Sequence, residues 1–320
     1  MKVAVISTLY NEESNVKELL DSIANQILKP DEIIIVDGGS TDNTIRILKE
    51  YKKTKLKNLK IIVKKGANIA QGRNIAIKYA KGELIATIDG GCIADKDWLK
   101  NLVEIHKKHN ADVVAGVFKP LSKNLFEFVE GELICPDISK LPDDWPPSSR
   151  SALFTKEAWE RVGGYPENLY TAEDTMFNFK LKKAGFKYKV ARKALVYWRM
   201  RPNMKKLFKQ YYLYGKGDGQ VRLPFRIKEM KNFNSIKSLI VLTGFYLFII
   251  LLIISIFYKF YLLSLALLVL LFLYLLSPSF KIFKKRKDIR IFFYVPAINF
   301  IRRFAYFMGF HVGFFKGVKV

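Results

Sequence analysis

Short apolar runs alternate with amphipathic stretches along the first third of the chain. Five apolar runs predict buried strands, at residues 3–8, 32–36, 59–63, 84–88 and 113–118. Apolar positions at helical spacing predict four helices between them, at residues 14–27, 41–51, 69–80 and 95–106. Because strands alternate with helices, the pattern predicts an α/β fold with a mostly parallel, Rossmann-like sheet that carries helices on both faces.

The stretch 119–150 interrupts this alternation. It contains five prolines, Pro120, Pro136, Pro142, Pro146 and Pro147. We therefore expect a long loop or lid there, since structureless stretches of this length are usually functional or disordered. The alternation then resumes, with helices predicted at 156–162 and 174–184 and strands at 186–190 and 194–198.

Two uncharged runs, residues 239–258 and 260–280, dominate the last third of the chain. Each is long enough to cross a hydrocarbon core of about 30 Å, and the turn between them is expected to comprise only Tyr258, Lys259 and Phe260. Residues 236–281 therefore predict a transmembrane helical hairpin, with buried helices of a soluble core as the alternative. Lys and Arg flank both outer ends, and the positive-inside rule then places these flanks, and with them the N-terminal domain of residues 1–235, in the cytoplasm.

The remaining segments complete the predicted multi-pass membrane protein. Residues 199–237 form a basic juxtamembrane segment, and residues 282–320 a basic loop followed by an aromatic, apolar tail. Because Arg302 and Arg303 divide the tail into halves too short to span, we expect an interfacial amphipathic helix, with a third, tilted span as the alternative.

The net charge of +25 indicates a polyanionic partner. The basic residues cluster beside the apolar runs and follow no nucleic-acid-binding motif, so membrane lipids are the expected partner and nucleic acid is not. Neither the two cysteines nor the three histidines show the spacing of a metal site.

Polar, acidic loops follow three of the predicted strands, at residues 8–12, 37–42 and 89–91. Ligands bind outside the carboxyl ends of the strands in a parallel sheet. Carboxylates there suit the base or ribose of a nucleotide, whereas no glycine-rich phosphate loop is present. Arg73 begins a predicted helix near the same edge and is a candidate to meet a diphosphate.

Several motifs in this order resemble family 2 glycosyltransferases, which are inverting enzymes with the GT-A fold. The motifs, within about residues 1–220, are "TLYNEE", "VDGGSTDNT", "GRNIAIKYAKGELIATIDGG", "GGYPENLYTAEDTMF" and "KQYYLYGKGDG". The resemblance and the strand-end positions together imply a set of donor-binding residues, Thr8, Tyr10, Glu12, Asp37, Arg73 and Asp89. The resemblance also implies Asp174 as catalytic base and Glu173 as the acid that orients it. Gln210 matches a segment that closes over donor and acceptor, and Arg150 and Trp198 join it as candidate acceptor-side residues.

The residue pair Asp89 and Gly91 leaves the metal requirement open. Many members of the family carry a second Asp where Gly91 stands, and a divalent cation bridges these acids to the diphosphate. Asp89 alone is a candidate ligand for Mg²⁺ or Mn²⁺ that also binds substrate phosphates. Without a metal, Arg73 or Arg150 would stabilise the leaving diphosphate.

The sequence thus predicts a membrane-anchored, inverting glycosyltransferase. It would move a sugar from a nucleotide-sugar donor to a lipid-linked acceptor, a polyprenyl phosphate or a lipid-linked glycan, at the cytoplasmic face of the cell membrane. The alternative is a non-catalytic membrane scaffold that keeps a nucleotide-binding fold. The sugar, the nucleotide and the oligomeric state are not indicated.

Overall fold

The computed structural model describes residues 1–226 and 235–317. The chain divides into two compact units. Among the described residues, the first unit comprises residues 1–121 and 135–199, and the second comprises residues 122–134, 200–226 and 235–317. Residues 227–234 of the basic segment predicted at 199–237 lie outside the described residues.

The first unit is built on one eight-stranded sheet. Its strands are β1 (Val3–Leu9), β2 (Glu32–Asp37), β3 (Leu59–Val63), β4 (Leu84–Thr87), β5 (Cys92–Ala94), β6 (Val113–Leu121), β7 (Ala152–Thr155) and β8 (Tyr188–Arg199). They lie in the order β3-β2-β1-β4-β7-β6-β8-β5. The first four in that order are parallel, whereas β7 runs antiparallel to both neighbours and β5 is antiparallel to β8. The α/β class is confirmed, with a mixed sheet.

The described helices follow in chain order. They are α1 (Val16–Ala24), α2 (Thr44–Thr54), α3 (Ile69–Tyr79), α4 (Trp98–His109), α5 (Leu125–Ile134), α6 (Lys156–Arg161), α7 (Glu173–Lys183), α8 (Met204–Gln220), α9 (Ser235–Phe257), α10 (Tyr261–Leu276), α11 (Ser279–Arg286) and α12 (Ile291–Lys316). Helices α5 and α8 to α12 belong to the second unit.

The core of the first unit lies between the sheet and its helices. Ile6, Ile34 and Ile85 come from three adjacent parallel strands and pack with Ala76 and Ile77 of α3. These isoleucines are almost fully buried, which explains why the strands read as continuous apolar runs in the sequence. The packing fixes α3 against the strands whose carboxyl ends carry the polar loops.

Two predictions about the middle of the chain are corrected. The stretch 119–150 is not one loop, because α5 lies within it and Pro120 is still part of β6. Residues 121–135 contain no proline, and Leu125, Phe126 and Val129 bury an apolar helix face in the second unit. The two strands expected at 186–190 and 194–198 are one continuous strand, β8.

A close helix crossing holds the second unit together. A Cβ added to Gly215 of α8 would lie 2.1 Å from the carbonyl oxygen of Tyr306 in α12, and one added to Gly309 would lie 1.9 Å from that of Tyr212. Only glycine permits backbones to approach this closely. The sequence pattern did not predict α8, since glycines within a helix reduce its propensity.

Helices α9 and α10 form the predicted hairpin. They are linked by residues 258–260, with Lys259 in the left-handed region at φ 58°, and Ser255 Oγ lies 2.8 Å from Ser264 Oγ beside the turn. Two stretches are long and apolar enough to cross a membrane, Leu239–Phe257 within α9 and Tyr261–Arg286, which comprises α10 and α11. Helix α12 carries exposed apolar side chains at helical spacing, Phe293, Phe300, Phe304 and Met308. Its predicted place at the membrane interface stays a prediction.

Candidate active site

The loops that follow β1 and β2 are bound to each other. Asn11 lies in the left-handed region at φ 53°, and its Oδ1 accepts a hydrogen bond from the backbone N–H of Thr41 at 2.9 Å. The N–H of Asn11 donates to Ser40 Oγ at 2.8 Å, and that of Glu12 donates to Thr44 Oγ1 at 2.8 Å. These bonds hold Glu12 in place and leave the adjacent Tyr10 exposed.

Asp37 is buried at the end of β2 and organises the turn that follows. Its Oδ1 accepts hydrogen bonds from the N–H groups of Gly39 and Ser40, at 2.8 and 2.7 Å, and its Oδ2 accepts one from Ser40 Oγ at 2.6 Å. The carboxylate therefore shapes the loop, and its predicted contact with the nucleotide stays a prediction.

The loop after β4 reaches the same edge of the sheet. A Cβ added to Gly90 would lie 2.6 Å from Leu9 Cδ2 and 3.3 Å from Glu12 Cγ, so the loop after β4 packs closely against the loop after β1 at this glycine. A Cβ added to Gly91 would have nothing within 4 Å. All three acidic loops thus come together, and there is open space beside Gly91.

Arg73 is fixed on α3 by the residues around it in the sequence. Asn68 and Gln71 form a capping box that starts the helix. A Cβ added to Gly72 would lie 2.7 Å from Thr8 Cγ2, so the helix is close against β1 at this point. This approach brings Arg73, whose side chain is only 5% exposed, under the edge that carries the three loops.

The guanidinium of Arg73 joins two of the predicted site residues. Its Nη2 donates to Asp89 Oδ1 at 2.8 Å, and its Nη1 donates to Glu173 Oε1 at 2.6 Å. Charge-assisted hydrogen bonds of this kind are among the strongest in proteins. A single buried cation therefore brings together carboxylates that lie 16 and 100 residues away from it in the sequence.

Asn74 and Tyr165 support this arrangement and were missed in the sequence. Asn74 Oδ1 accepts from the N–H of Tyr165 at 2.9 Å and from Trp159 Nε1 at 3.0 Å, and its Nδ2 donates to the carbonyl of Tyr165 at 2.9 Å. The Tyr165 ring centre lies 5.3 Å from the guanidinium carbon of Arg73. The sequence signal that could have identified Asn74 is its position directly after Arg73.

Glu173 and Asp174 begin α7 after a strained residue. Ala172 adopts φ 65°, which is unusual for a residue other than glycine and is typical of functional sites. Burial, together with the neighbouring charge of Asp174, raises the pKa of Glu173 to about 7, although Arg73 acts in the opposite direction. Asp174 is more exposed than Glu173, and its Oδ1 accepts a hydrogen bond from the N–H of Thr175 at 2.8 Å.

The acceptor-side residues fall into different units. In the first unit the guanidinium carbon of Arg150 lies 4.0 Å from the ring centre of Trp198, and Phe118 packs edge-on against that ring at 5.8 Å. Gln210 lies in the second unit, on α8. There it accepts a hydrogen bond from Arg201 Nε at 2.6 Å and donates one to the hydroxyl of Tyr214 at 2.7 Å.

Asp89 is the residue to test for a divalent cation. Within residues 1–226 and 235–317 no group of three or more His, Cys, Asp or Glu side chains could hold a metal ion. Asp89, however, is 34% exposed, and only its Oδ1 is engaged by Arg73. One carboxylate oxygen is thus available, which fits a cation that reaches the site together with donor phosphates.

The family is identified by comparison with known sequences. A model described as Glycosyl transferase family 2 matches residues 4–179, more than half of the chain. The chain belongs to this family. A second model, Glycosyl transferase family group 2, matches residues 141–277. The predicted family is therefore confirmed.

Similar curated proteins include two glycosyltransferases. A poly(ribitol-phosphate) beta-glucosyltransferase from Bacillus spizizenii is 30% identical over 186 residues, which is 55% of this chain but only 29% of the Bacillus protein. A second relative comes from Methanococcus voltae and is named a dolichyl N-acetyl-alpha-D-glucosaminyl phosphate 3-beta-D-2,3-diacetamido-2,3-dideoxy-beta-D-glucuronosyltransferase. It is 26% identical over 77% of this chain and 83% of that protein.

Among solved structures, a mannosyltransferase from Pyrobaculum calidifontis in complex with GDP-Man and Mn²⁺ has a TM-score of 0.56 and 23% sequence identity. The match covers 68% of this chain and 62% of that one. This likeness supports the predicted GT-A fold.

Proposed function

We propose that this protein is an inverting glycosyltransferase that moves a sugar from a nucleotide-sugar donor to a lipid-linked acceptor at the cytoplasmic face of the membrane. The observation that carries the proposal is the ion-paired group in which Arg73 joins Asp89 to Glu173. It ties the loop expected to bind the donor to the start of α7, where the expected base Asp174 lies.

In this proposal Asp174 acts on the acceptor. As the acceptor oxygen forms a bond to the anomeric carbon, the bond from that carbon to the donor phosphate breaks on the opposite face, which inverts the configuration. The carboxylate of Asp174 takes the proton of the attacking hydroxyl. Glu173, paired with Arg73, fixes the start of the helix that carries this base.

Asp89 faces the donor in the same proposal. Because both Nη atoms of Arg73 already donate to carboxylates, Arg73 suits the positioning of acids better than direct contact with the diphosphate. A divalent cation held by Asp89 together with the donor phosphates would supply positive charge to the leaving diphosphate.

The acceptor and the cellular location rest on different features. The exposed apolar surface of α9 and α10 and the basic residues beside them support two membrane spans with the catalytic unit in the cytoplasm. The Methanococcus relative is named for a dolichyl-linked substrate, which supports a lipid-linked acceptor. We propose polyprenyl phosphates and lipid-linked glycans as the acceptor classes.

Ligand-induced stabilisation tests the donor assignment. The melting temperature of the detergent-solubilised chain would be measured with UDP-, GDP- and dTDP-sugars, each with Mn²⁺, Mg²⁺ or EDTA. A ligand at 100 times its Kd stabilises the folded state by about 2.7 kcal/mol, so one donor should raise the melting temperature clearly. A shift lost in EDTA supports a cation at Asp89. No shift with any donor would contradict the proposal and favour the non-catalytic scaffold.

Substitution of the proposed base distinguishes the acceptors. With a hydroxyl acceptor, Asp174→Asn should abolish turnover while donor-induced stabilisation is kept. With a phosphate acceptor, whose oxygen is already anionic, the loss should be mild. The exposed Glu157→Gln variant is the control. Turnover on a hydroxyl acceptor that survives in Asp174→Asn would refute the role of Asp174 as base.

A further inference from the structure

Two adjacent arginines, Arg302 and Arg303, lie partly buried in α12. Arg302 Nη1 donates to the carbonyl of Leu133 at 3.2 Å, whereas Arg303 packs its guanidinium carbon 4.7 Å from the ring centre of Tyr274. The Nε atoms of both arginines are buried without a hydrogen-bond partner. Over the described ranges no carboxylate forms an ion pair with either arginine.

The surroundings of Arg302 and Arg303 within the chain do not fully compensate their positive charges. Burial lowers the pKa of Arg303; Tyr274 opposes this with a smaller effect, and the charge of Arg302 adds a still smaller lowering. Glu130 acts electrostatically on Arg302, but burial raises the pKa of Glu130 to about 7 and so weakens its negative charge. Buried polar and charged groups normally have partners, so an anion from outside the chain would complete this cluster.

The position of the pair points to the source of that anion. Tyr274 lies near the end of α10, and Asn299, one turn before Arg303, donates to the carbonyl of Leu275 at 3.1 Å. The pair is therefore at the open end of the hairpin, opposite the turn at residues 258–260 and on the side of the basic flanks. Phe300 and Phe304 are exposed beside it. An apolar stripe next to cationic side chains suits a headgroup phosphate with a buried lipid chain.

We propose that Arg302 and Arg303 bind the phosphate of the lipid-linked acceptor. This inference rests on the proposed glycosyltransferase function and extends it by naming the group that the second unit recognises. The planar guanidinium groups offer parallel N–H donors to phosphate oxygens, and the aromatic rings of Tyr211 and Tyr274 support the two side chains from within the unit.

The test compares lipids and variants of the full chain in neutral detergent. Melting temperatures would be titrated with a short polyprenyl phosphate, with phosphatidylglycerol and with inorganic phosphate. The variant Arg302→Gln with Arg303→Gln removes the site. Arg286→Gln with Lys287→Gln removes the same charge from adjacent, exposed positions and is the matched control.

We expect the polyprenyl phosphate to stabilise the wild-type chain and the control equally, and to bind the Arg302, Arg303 variant at least about tenfold more weakly. The proposal would be overturned if the control variant bound the polyprenyl phosphate as weakly as the Arg302, Arg303 variant. It would also be overturned if phosphatidylglycerol or inorganic phosphate stabilised the wild type as much as the polyprenyl phosphate does, or if the polyprenyl phosphate did not stabilise it at all.

Donor-induced stabilisation of the same variants separates the two hypotheses. A normal donor shift in the Arg302, Arg303 variant shows that the chain is folded and that the donor site is intact. Replacement of both arginines by lysine keeps the charge and should restore part of the binding. If no nucleotide-sugar donor raised the melting temperature of the wild type, the proposed function would be contradicted, but the phosphate site at Arg302 and Arg303 would not.

Discussion

Replacing Glu173 by glutamine should make the protein more stable at alkaline pH. Burial and Asp174 raise the pKa of Glu173 from its ordinary 4.5 to about 7, so the folded state resists ionisation of this group more than the unfolded state does. Between these two values the folded chain binds more protons than the unfolded chain, and stability therefore falls as the pH rises through this range.

The size of the effect follows from the same two values. The difference between 4.5 and about 7, at about 1.4 kcal/mol for each pH unit, corresponds to roughly 3 kcal/mol of stability lost by the wild type above pH 7. Glutamine keeps the shape of the side chain and an oxygen that accepts from Arg73, but it never ionises. The advantage of Glu173→Gln should be close to zero near pH 4.5 and complete by pH 8.

Melting temperatures of the two proteins between pH 4.5 and 8 provide the assay. Titrating groups distant from Glu173 act on both proteins alike, so the difference between the two curves reports Glu173 together with the adjacent Asp174. We expect Glu173→Gln to melt several degrees higher at pH 8, and the exposed Glu157→Gln to follow the wild type throughout. Wild-type and Glu173→Gln curves that run parallel across the range would refute the reasoning.

Three further substitutions test the site and the second unit. Gly91→Asp places a second carboxylate in open space, so Mn²⁺ should enhance donor-induced stabilisation more than in wild type or in Gly91→Asn; an unchanged Mn²⁺ response would contradict this. Arg73→Met removes the cation of a buried ion pair and should lower the free energy of unfolding by about 3–5 kcal/mol. Adding Glu173→Gln should recover part of this loss, and urea titrations of the single and double variants would measure both effects. Gly309→Ala drives a Cβ into the facing backbone and should destabilise the fold by about 1–3 kcal/mol, whereas Gly244→Ala, with nothing within 4 Å, should not; equal melting temperatures would count against the helix crossing.

Strands β1 to β4, β6 and β8 could be predicted from the sequence, whereas the short strands β5 and β7 and their antiparallel pairings could not. Strands β1 to β4 are apolar because both faces are covered, which leaves a strong local signal. Strands β5 and β7 have only three and four residues. Their conformation depends on pairing with strands distant in the sequence, and such context is not visible locally.

For the candidate site, the sequence indicates the acids but not their common partner. Asp89 and Glu173 stand out by their motifs, and Arg73 by its place at a helix start. That one guanidinium binds both acids is a consequence of how α3 lies against β1, which Gly72 permits. Likewise, α8 is stabilised by close packing on α12 and not by its composition, so its pattern gives a weak signal.

The net charge of the side chains at the sheet edge bears on whether the donor binds together with a divalent cation. Arg73 supplies one positive charge to Asp89, Glu173 and Asp174, so this group is already negative before a diphosphate arrives. Protonation of Glu173 near pH 7 removes part of that charge, and a cation that enters with the donor would remove more. Glu173→Gln should therefore bind its donor more tightly in EDTA at pH 8 than the wild type does, and the two should converge when Mn²⁺ is present. If the wild type and Glu173→Gln bound the donor equally tightly in EDTA, the negative charge of Glu173 would have no effect on donor binding.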